Sequence, residues 1–500
     1  MPITDGEISI STMYEFNVSQ LAKEFGVHRN TIRNWINSGT LAATEGPGRK
    51  YLMKLEDYGK LCEKFSREPR VRPDNNTKEK ILDTVPKSDL PPILVCGVKS
   101  SFAFDSSWAY ACLTCGSCAA ACPLTGVGGL DPRKIVRMAV FGLDEQLVQS
   151  DWPWKCTMCG KCEEACPENI EIVALIRKIR GARNRSEVPE QIQRGVTMCL
   201  ERGNNLGIPK DDFVSLCEEL AKELDLDSCP GFKTPIDVHG ARVLVTVNSK
   251  IPFGEPDELK WWWKIFYTVG ESWTIPSENW DGVNWGLLSG DDEALKMLVG
   301  RIVDNMRRLN CSVLLLPECG HAYFATRLGI NKWYPEALKE FRIATTFDLL
   351  LEYIENGRIQ LDTTKHCMPV TYHDSCNYGR KSLKAFGQAY FEEPRKIILA
   401  CCNDFREQYP NRNSAYCCGS GGSAWSMPFS EARIFHGRVK ARQIAESGGR
   451  LIIVSCHSCH DQILKSLNKE YDLSIEVKYL WELVADSMVI NEKKVASRGG

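Results

Sequence analysis

The sequence predicts a multidomain protein that is mainly α/β. Its 500 residues exceed the size of one hydrophobic core, so roughly three or four domains are expected, at about 100 to 200 residues each. Beyond residue 235, short apolar runs alternate with helical patterns; the runs are "ARVLVTV", "SVLLLP", "MPVTYH" and "RLIIVS". Such runs predict the buried strands of parallel sheets.

The amino-terminal residues predict a small separate domain, 1–63. A helix, a tight turn at Gly26 and a second helix from Asn30 precede a hairpin that contains Gly and Pro. This pattern resembles the winged helix-turn-helix of MerR-type regulators and excisionases. A polar linker, 64–99, follows where MerR-type regulators carry a long dimerising helix.

Two partners fit the helix-turn-helix. Arg29, Arg33 and the basic "GRK" of the wing offer contacts to the phosphates of DNA. Because the dimerising helix is replaced by a linker, we expect a docking module for a partner protein, with DNA as the alternative.

Charge and hydropathy give no global preference for nucleic acid or membrane. The formal net charge is −2, the start "MPITDGEISI" lacks the features of a secretory signal, and no apolar run approaches the roughly 20 residues of a membrane span. We therefore expect a cytoplasmic protein, with any association with the cytoplasmic membrane supplied by partner subunits.

Cysteine is the most informative residue type in the chain. The sequence contains 23 cysteines, and a reducing cytoplasm argues against a disulfide framework. Metal binding or redox chemistry is the remaining interpretation.

Two motifs in the mostly helical segment 100–235, "CLTCGSCAAACP" and "CTMCGKCEEACP", both read C-x2-C-x2-C-x3-C-P. Zinc held by four cysteines also uses C-x2-C pairs, but two complete copies with the trailing proline favour iron-sulfur. In two-cluster ferredoxins the fourth cysteine ligates the other cluster. One cubane [4Fe-4S] cluster is thus predicted at Cys112, Cys115, Cys118 and Cys166, and a second at Cys156, Cys159, Cys162 and Cys122.

A repeat divides the α/β part into two modules, 236–365 and 366–490, followed by a tail, 491–500. Residues 284–321 and 413–460 share one order of parts, which is a small-residue loop, a helix, a strand and a cysteine-bearing turn. At the paired cysteines of "AYCCGSGG", the first copy has Leu287 and Leu288.

The second module contains five cysteines in a regular spacing. Cys376 and Cys456 each follow a predicted strand, and the carboxyl ends of parallel strands form ligand crevices. Glycines after the adjacent pair permit close approach of the backbone to a bulky group. The five residues are Cys376, Cys417, Cys418, Cys456 and Cys459.

This spacing resembles the cysteine-rich CCG domain of heterodisulfide reductase. With the two ferredoxin motifs, "PECGH", "HDSCN" and "CCGSG", residues 100–490 are most similar to the D-type polypeptide of that enzyme family, which includes the catalytic subunit of the sulfite-reduction-linked Dsr membrane complex. The resemblance implies a noncubane [4Fe-4S] cluster on the five cysteines, where a disulfide or trisulfide is reduced or re-formed. The leucine pair implies only one such cluster.

Other residues have weaker assignments. Cys401 and Cys402 are either inert buried thiols, or Cys402 is a catalytic thiol that faces the substrate. Cys319 and His321 serve proton transfer or substrate contact, or are a packed remnant. Hydrogen bonding to ligand sulfurs is expected for His373, Asp374, His457 and His460.

The leading function is an electron-transfer and catalytic subunit that acts on a thiol/disulfide couple of a protein or cofactor. Its predicted partners are other redox subunits, either membrane subunits carrying quinone or haem, or a flavoprotein. The alternatives are the iron-sulfur subunit of a flavin-dependent 2-hydroxyacid oxidase and a redox-sensing DNA-binding regulator.

Overall fold

The computed structural model describes residues 13–46, 50–65, 111–129, 131–317 and 319–489. The chain divides into two compact units, 1–96 and 97–500. The predicted linker lies outside the described residues except for positions 64 and 65, and the predicted tail lies wholly outside them.

In its described residues, the first unit combines three helices with a small antiparallel sheet of order β1-β3-β2. The Asn17 side chain accepts from the backbone N–H of Gln20 at 2.8 Å and so caps the first helix, and Gly26 ends it with φ 66°. The elements are β1 Met13–Phe16, helices Val18–Phe25 and Arg29–Asn37, β2 Ala43–Gly46, β3 Lys50–Lys54 and helix Leu55–Lys64.

Helices alone form the cysteine-dense segment in the described residues from 111 to 235. The Asp131 side chain accepts from the N–H of Arg133 at 2.9 Å, and Pro132 occupies the first helical position, as is typical of helix starts. The helices are Ser117–Ala121, Pro132–Val140, Asp144–Gln149, Trp152–Lys155, Lys161–Glu164, Ile172–Ala182, Glu190–Arg202 and Lys210–Asp227, with 3-10 turns at Val127–Gly129 and Arg185–Glu187.

The first α/β half is built on a parallel sheet of order β5-β4-β6-β7. Because the order reverses between β4 and β6, their carboxyl ends are the expected place for a ligand crevice. The strands are β4 Val243–Val245, β5 Trp273–Thr274, β6 Val313–Leu315 and β7 Arg342–Ala344. The helices are Lys250–Gly254, Asp257–Val269, Trp285–Ser289, Asp292–Arg308, Gly320–Trp333 and Thr346–Glu355, with a 3-10 turn at Pro335–Lys339.

The second α/β half is built on a parallel sheet of order β10-β9-β8. The strands are β8 Val370–Tyr372, β9 Leu451–Val454 and β10 Glu476–Tyr479. The helices are Ser382–Phe386, Glu392–Cys401, Ser430–Ser447, His457–Asp461, Asn468–Glu470 and Leu480–Ser487. One π-helical segment spans Asn377–Lys381 and another spans Gln462–Leu467. Short 3-10 turns span Arg412–Ser414 and Ala424–Ser426.

Both sheets contribute to one hydrophobic core. Strands β4, β6, β8 and β9 are buried along their whole length, which explains why they read as uninterrupted apolar runs rather than as alternating ones. Their positions match the four predicted strands. Within the described ranges, no helix combines the length and apolar character that crossing a membrane requires.

Candidate metal centres

Two small cavities in the helical segment are each lined by four thiols. Each cavity takes three thiols from one C-x2-C-x2-C loop and the fourth from the other motif. One cavity has Cys112, Cys115, Cys118 and Cys166 in its wall, and the other has Cys122, Cys156, Cys159 and Cys162.

The two loops share one backbone pattern. The residue before the second cysteine is left-handed in both, at Thr114 and Met158, and so is the glycine after it, at Gly116 and Gly160. Glycine adopts this conformation without the Cβ penalty. The repeated turns curl each loop so that its three thiols point into the same cavity.

Burial disfavours ionisation of these thiols. It raises the pKa of Cys122 to about 12 and the pKa of Cys156 to about 11. Such thiols stay protonated at neutral pH unless a cation binds them. The pKa of Cys162 is raised as well, whereas a hydrogen bond with Cys417 lowers the pKa of Cys159. A small cavity lined by four thiols suits a metal group.

A third cavity, of about 560 Å³, lies where the two α/β halves meet. Cys376 follows β8 and Cys456 follows β9, while the adjacent pair comes from the loop before helix Ser430–Ser447. All five predicted cysteines line this cavity: Cys376, Cys417, Cys418, Cys456 and Cys459. The sequence-predicted set is thus brought together, and we call it the five-thiol site.

The thiols of the five-thiol site contact one another in series. Cys417 is hydrogen-bonded to Cys376 and to Cys418. The Cys418 Sγ lies 3.3 Å from the Cys459 Sγ, and Cys459 is in turn hydrogen-bonded to Cys456. Five sulfurs in continuous contact suit one shared metal group better than separate roles.

The five-thiol site also touches the second four-thiol cavity. Cys159 is hydrogen-bonded to Cys417, and their sulfurs lie within 4.8 Å of each other and of a ring nitrogen of His436. His436 is buried and lines the second cavity as well. A direct thiol contact therefore connects the two candidate centres.

Glycines allow this close approach. A Cβ added at Gly421 would collide with the carbonyl oxygen of Thr157, and one added at Gly422 would lie only 2.5 Å from that of Cys156. Neither position has space for a side chain. The run after the cysteine pair is thus small because its backbone packs on the second ferredoxin loop.

Arg180 joins three segments around the two centres. This fully buried guanidinium donates to four backbone carbonyls. The acceptors are those of Pro153 at 2.9 Å, Cys156 at 2.9 Å, Leu288 at 2.8 Å and Gly422 at 3.0 Å. It ties the second ferredoxin loop to the cysteine-pair loop and to the leucine-pair loop of the first half.

Other buried cations surround the five-thiol site without carboxylate hydrogen-bond partners in the described part of the chain. Arg380 donates to the carbonyl of Cys159 at 3.0 Å, and Lys440 donates to Gln408 Oε1 at 2.8 Å. Burial lowers the pKa of Lys440 to about 8. Buried positive charge is costly unless negative charge compensates it, and an anionic thiolate-bound group would do so.

The outer part of the cavity is formed by the first half. Asn248 and Lys250 follow β4, and Cys319 and His321 follow β6; all four line the cavity with Leu287 and Leu288. Leu206 and Trp425 lie at its exposed margin, with 51% and 38% of their surface accessible. The reversal point of the first sheet thus opens onto the thiols of the second.

Several predicted residues lie elsewhere or have structural partners. Cys402 is buried, donates its S–H to the carbonyl of Ile398 at 3.3 Å, and does not line the cavity; Cys401 is also buried. Asp374 pairs with Arg395 through two bonds of 2.9 Å. These three side chains are held by the fold rather than presented to the cavity.

The predicted histidines lie close to the ligand sulfurs or behind them. His373 lies within 4.8 Å of Cys418 and Cys459. The Nδ1 of His457 is 2.9 Å from the hydroxyl of Tyr479, on whose ring His460 stacks with centroids 4.3 Å apart. His457 lines the cavity, while His460 packs behind it.

Sequence reasoning missed the buried cations and His436. One signal was available, because Arg433, His436 and Lys440 lie three and four residues apart and therefore share a face of helix Ser430–Ser447. All three are buried. A buried basic stripe on a helix beside five cysteines indicates an anionic neighbour.

Three family models match the chain. They are a 4Fe-4S dicluster domain at residues 108–170, a cysteine-rich domain at 370–464 and a helix-turn-helix domain at 15–57. No curated protein matches the chain as a relative. At this level the predictions of iron-sulfur domains, a cysteine-rich domain and a helix-turn-helix are confirmed, and the chain is an iron-sulfur protein with a role in electron transfer.

Proposed function

We propose that this chain is the electron-transfer and catalytic subunit of a redox complex, with two cubane clusters and one noncubane cluster. Its reaction is the reduction or formation of a disulfide or trisulfide of a protein or cofactor thiol. The observation that carries this proposal is the contact between Cys159 and Cys417. It connects a four-thiol cavity to a five-thiol cavity that is open to a substrate.

The residues fit iron-sulfur clusters. Four thiols around each small cavity match the cubane ligand set, and five adjoining thiols match the larger set that the family resemblance implies. The clusters supply one-electron transfer, whereas splitting a sulfur-sulfur bond takes two electrons. The buried cations Arg180, Arg380 and Lys440 supply the positive charge that such anionic groups require.

The first four-thiol cavity is the proposed entry point for electrons. Cys115 is exposed, whereas Cys159 of the second cavity is buried. A partner subunit carrying quinone, haem or flavin would dock near the exposed loop, because electron transfer requires close approach. The order is then exposed cavity, buried cavity, five-thiol site.

We further propose that the two α/β halves arose by duplication and that only the second holds a cluster. Cys319 follows β6 much as Cys456 follows β9, and both paired-residue loops line the same cavity. Leu287 and Leu288 offer no thiolate. The first half then serves as the substrate wall of a site that the second half builds.

The test is an iron count with EPR on anaerobically purified protein. We expect about twelve irons per chain, from three four-iron clusters. We also expect a paramagnetic signal after mild oxidation that changes when a thiol such as 2-mercaptoethanol is added. Cys311→Ser, which alters a buried thiol outside the three cavities, is the matched control and should leave both unchanged.

About eight irons without a thiol-sensitive signal would contradict the sulfur chemistry. The protein would then be a two-cluster electron conduit. Flavin-dependent oxidation of glycolate or lactate by the co-purified complex would favour the 2-hydroxyacid oxidase instead.

A further inference from the structure

A sixth thiol, Cys319, lies in the cavity of the five-thiol site. It comes from the first α/β half, at the carboxyl end of β6, and is the N-cap of helix Gly320–Trp333. It lines the cavity together with the five cysteines of the second half. No ligand role is implied for it by the five-cysteine spacing.

Cys319 stands at one end of the series of thiol contacts. It is hydrogen-bonded to Cys456, which begins the series through Cys459, Cys418 and Cys417. Cys159, of the second four-thiol cavity, stands at the opposite end. Electrons that enter the series at Cys159 would therefore reach Cys319 at the other end, on the side of the cavity that the first half forms.

The backbone next to Cys319 packs closely against the segment that follows Cys376. A Cβ on Gly320 would lie 2.9 Å from a ring carbon of Tyr378 and 3.0 Å from the Cβ of Asn377, which follows the ligand Cys376. Only glycine permits this approach. The N–H of Ala322 donates to the Cys319 sulfur at 3.3 Å, which holds the sulfur at the start of the helix.

Two imidazoles that line the same cavity as Cys319 have buried ring nitrogens without partners in the described chain. His373 is 1% exposed and lines the cavity, and its Nδ1 has no hydrogen-bond partner among the described residues. The Nε2 of His321 also lacks one within the described chain. Buried polar atoms are rarely left unpaired, and both nitrogens belong to rings in the wall of the cavity.

We propose that Cys319 is a catalytic thiol that exchanges with the sulfur substrate and holds it as a mixed disulfide. This inference rests on the proposed function of the five-thiol site. In the reducing direction, the Cys319 sulfur attacks a substrate R–S–S–R′, so that Cys319–S–S–R forms and R′–S⁻ leaves. Two single electrons from a one-electron donor protein, supplied through the site, then cleave the mixed disulfide.

The overall reaction is balanced. One sulfur-sulfur bond is broken, two electrons and two protons are taken up, R–SH and R′–SH are formed, and the Cys319 thiol is regenerated. In the oxidising direction the same steps run backwards, and the oxidised form of the one-electron partner protein accepts the two electrons one at a time. Cys319 thus gives the half-cleaved substrate a covalent anchor between the two electron transfers.

The experiment treats anaerobic full-length protein with 2-hydroxyethyl disulfide, followed by acid quenching, alkylation and peptide mass spectrometry. We expect a 2-mercaptoethanol adduct on Cys319 that disappears after addition of reduced methyl viologen. Cys319→Ser should lose the adduct while it keeps its iron and its oxidised EPR signal. Cys319→Ala serves as a second variant, and Cys311→Ser, just before β6, is the matched thiol control.

Two results would overturn the inference. Cys319 without an adduct in protein that retains about twelve irons would exclude thiol exchange, and loss of about four irons in Cys319→Ser would make it a cluster ligand instead. About eight irons in the unmodified protein would contradict the proposed function. An adduct on Cys319 in the same protein would still support thiol exchange at this residue. The two claims therefore fail separately.

Discussion

The two α/β halves place different residues on opposite parts of one cavity. The second half contributes Cys417 and Cys418 at its small-residue loop, and the first contributes Leu287 and Leu288. Both loops are held by Arg180, through the carbonyls of Gly422 and Leu288. Anchoring by Arg180 thus does not depend on the cysteine pair, since the leucine loop is anchored in the same way.

The two halves also supply different types of side chain to the cavity. The half with the cysteine pair surrounds its thiols with buried cations, including Arg433 and Lys440. The half with the leucine pair provides an apolar wall, Lys250 and one thiol, Cys319. The two halves thus line one cavity with different chemistry.

The largest expected effect comes from the cysteine pair. Cys418→Ser removes a sulfur that contacts Cys417 and Cys459, so about four of about twelve irons should be lost. Colorimetric iron assay per chain measures this. Leu288→Met, at the corresponding position of the first half and of similar volume, should retain all iron; a Cys418→Ser variant with full iron content would break the comparison.

The next effect concerns the shared anchor. Arg180→Gln leaves buried carbonyls without donors, at about 1–3 kcal/mol for each unsatisfied group, so the protein should be destabilised by about 3 kcal/mol or more. Thermal loss of the visible absorbance of the clusters should then occur several degrees lower.

Arg177→Gln is the matched control, one turn earlier on the same helix. Arg177 forms a part-exposed ion pair with Asp292, and such pairs contribute about 0–1 kcal/mol. Equal shifts for the two variants would show that Arg180 is not a special link between the loops.

The smallest expected effect comes from giving the first half a cysteine pair. Leu287→Cys with Leu288→Cys supplies the pair, but with Cys319 the first half then contributes three thiols to the cavity rather than five. Iron content should stay at about twelve per chain. A gain of about four irons would show that the cysteine pair alone distinguishes the two halves. The single variant Leu288→Cys is the control, because it adds a thiol without forming a pair.

Sequence was most informative where chemistry is encoded locally. C-x2-C spacing sets loop geometry directly, and four apolar runs placed β4, β6, β8 and β9. The remaining strands were missed for a physical reason. The strands β5 and β7 span only two and three residues, and β10 reads "EVKY", with charged residues that a buried strand would not carry. Edge position alone is not the reason, because β8 is also an edge strand and its buried residues form an apolar run.

Long-range contacts were beyond sequence reasoning. Arg180 meets Leu288 and Gly422 at separations of 108 and 242 residues, and nothing in the helix around it signals these partners. The contact between Cys319 and Cys456 likewise depends on how the halves pack. Cys401 and Cys402 show the opposite case. They are adjacent in sequence, like the pair in the cavity, but both thiols are buried and neither lines the cavity.

The close packing of Gly421 and Gly422 on Cys156 and Thr157 bears on how the protein matures. The second four-thiol cavity is walled on one side by His436 from the second α/β half, and the glycine loop covers the ferredoxin turn. Once this loop has docked, iron and sulfide cannot reach the cavity from the side that the glycines cover. Insertion of a cofactor from that side should therefore precede docking of the cysteine-pair loop.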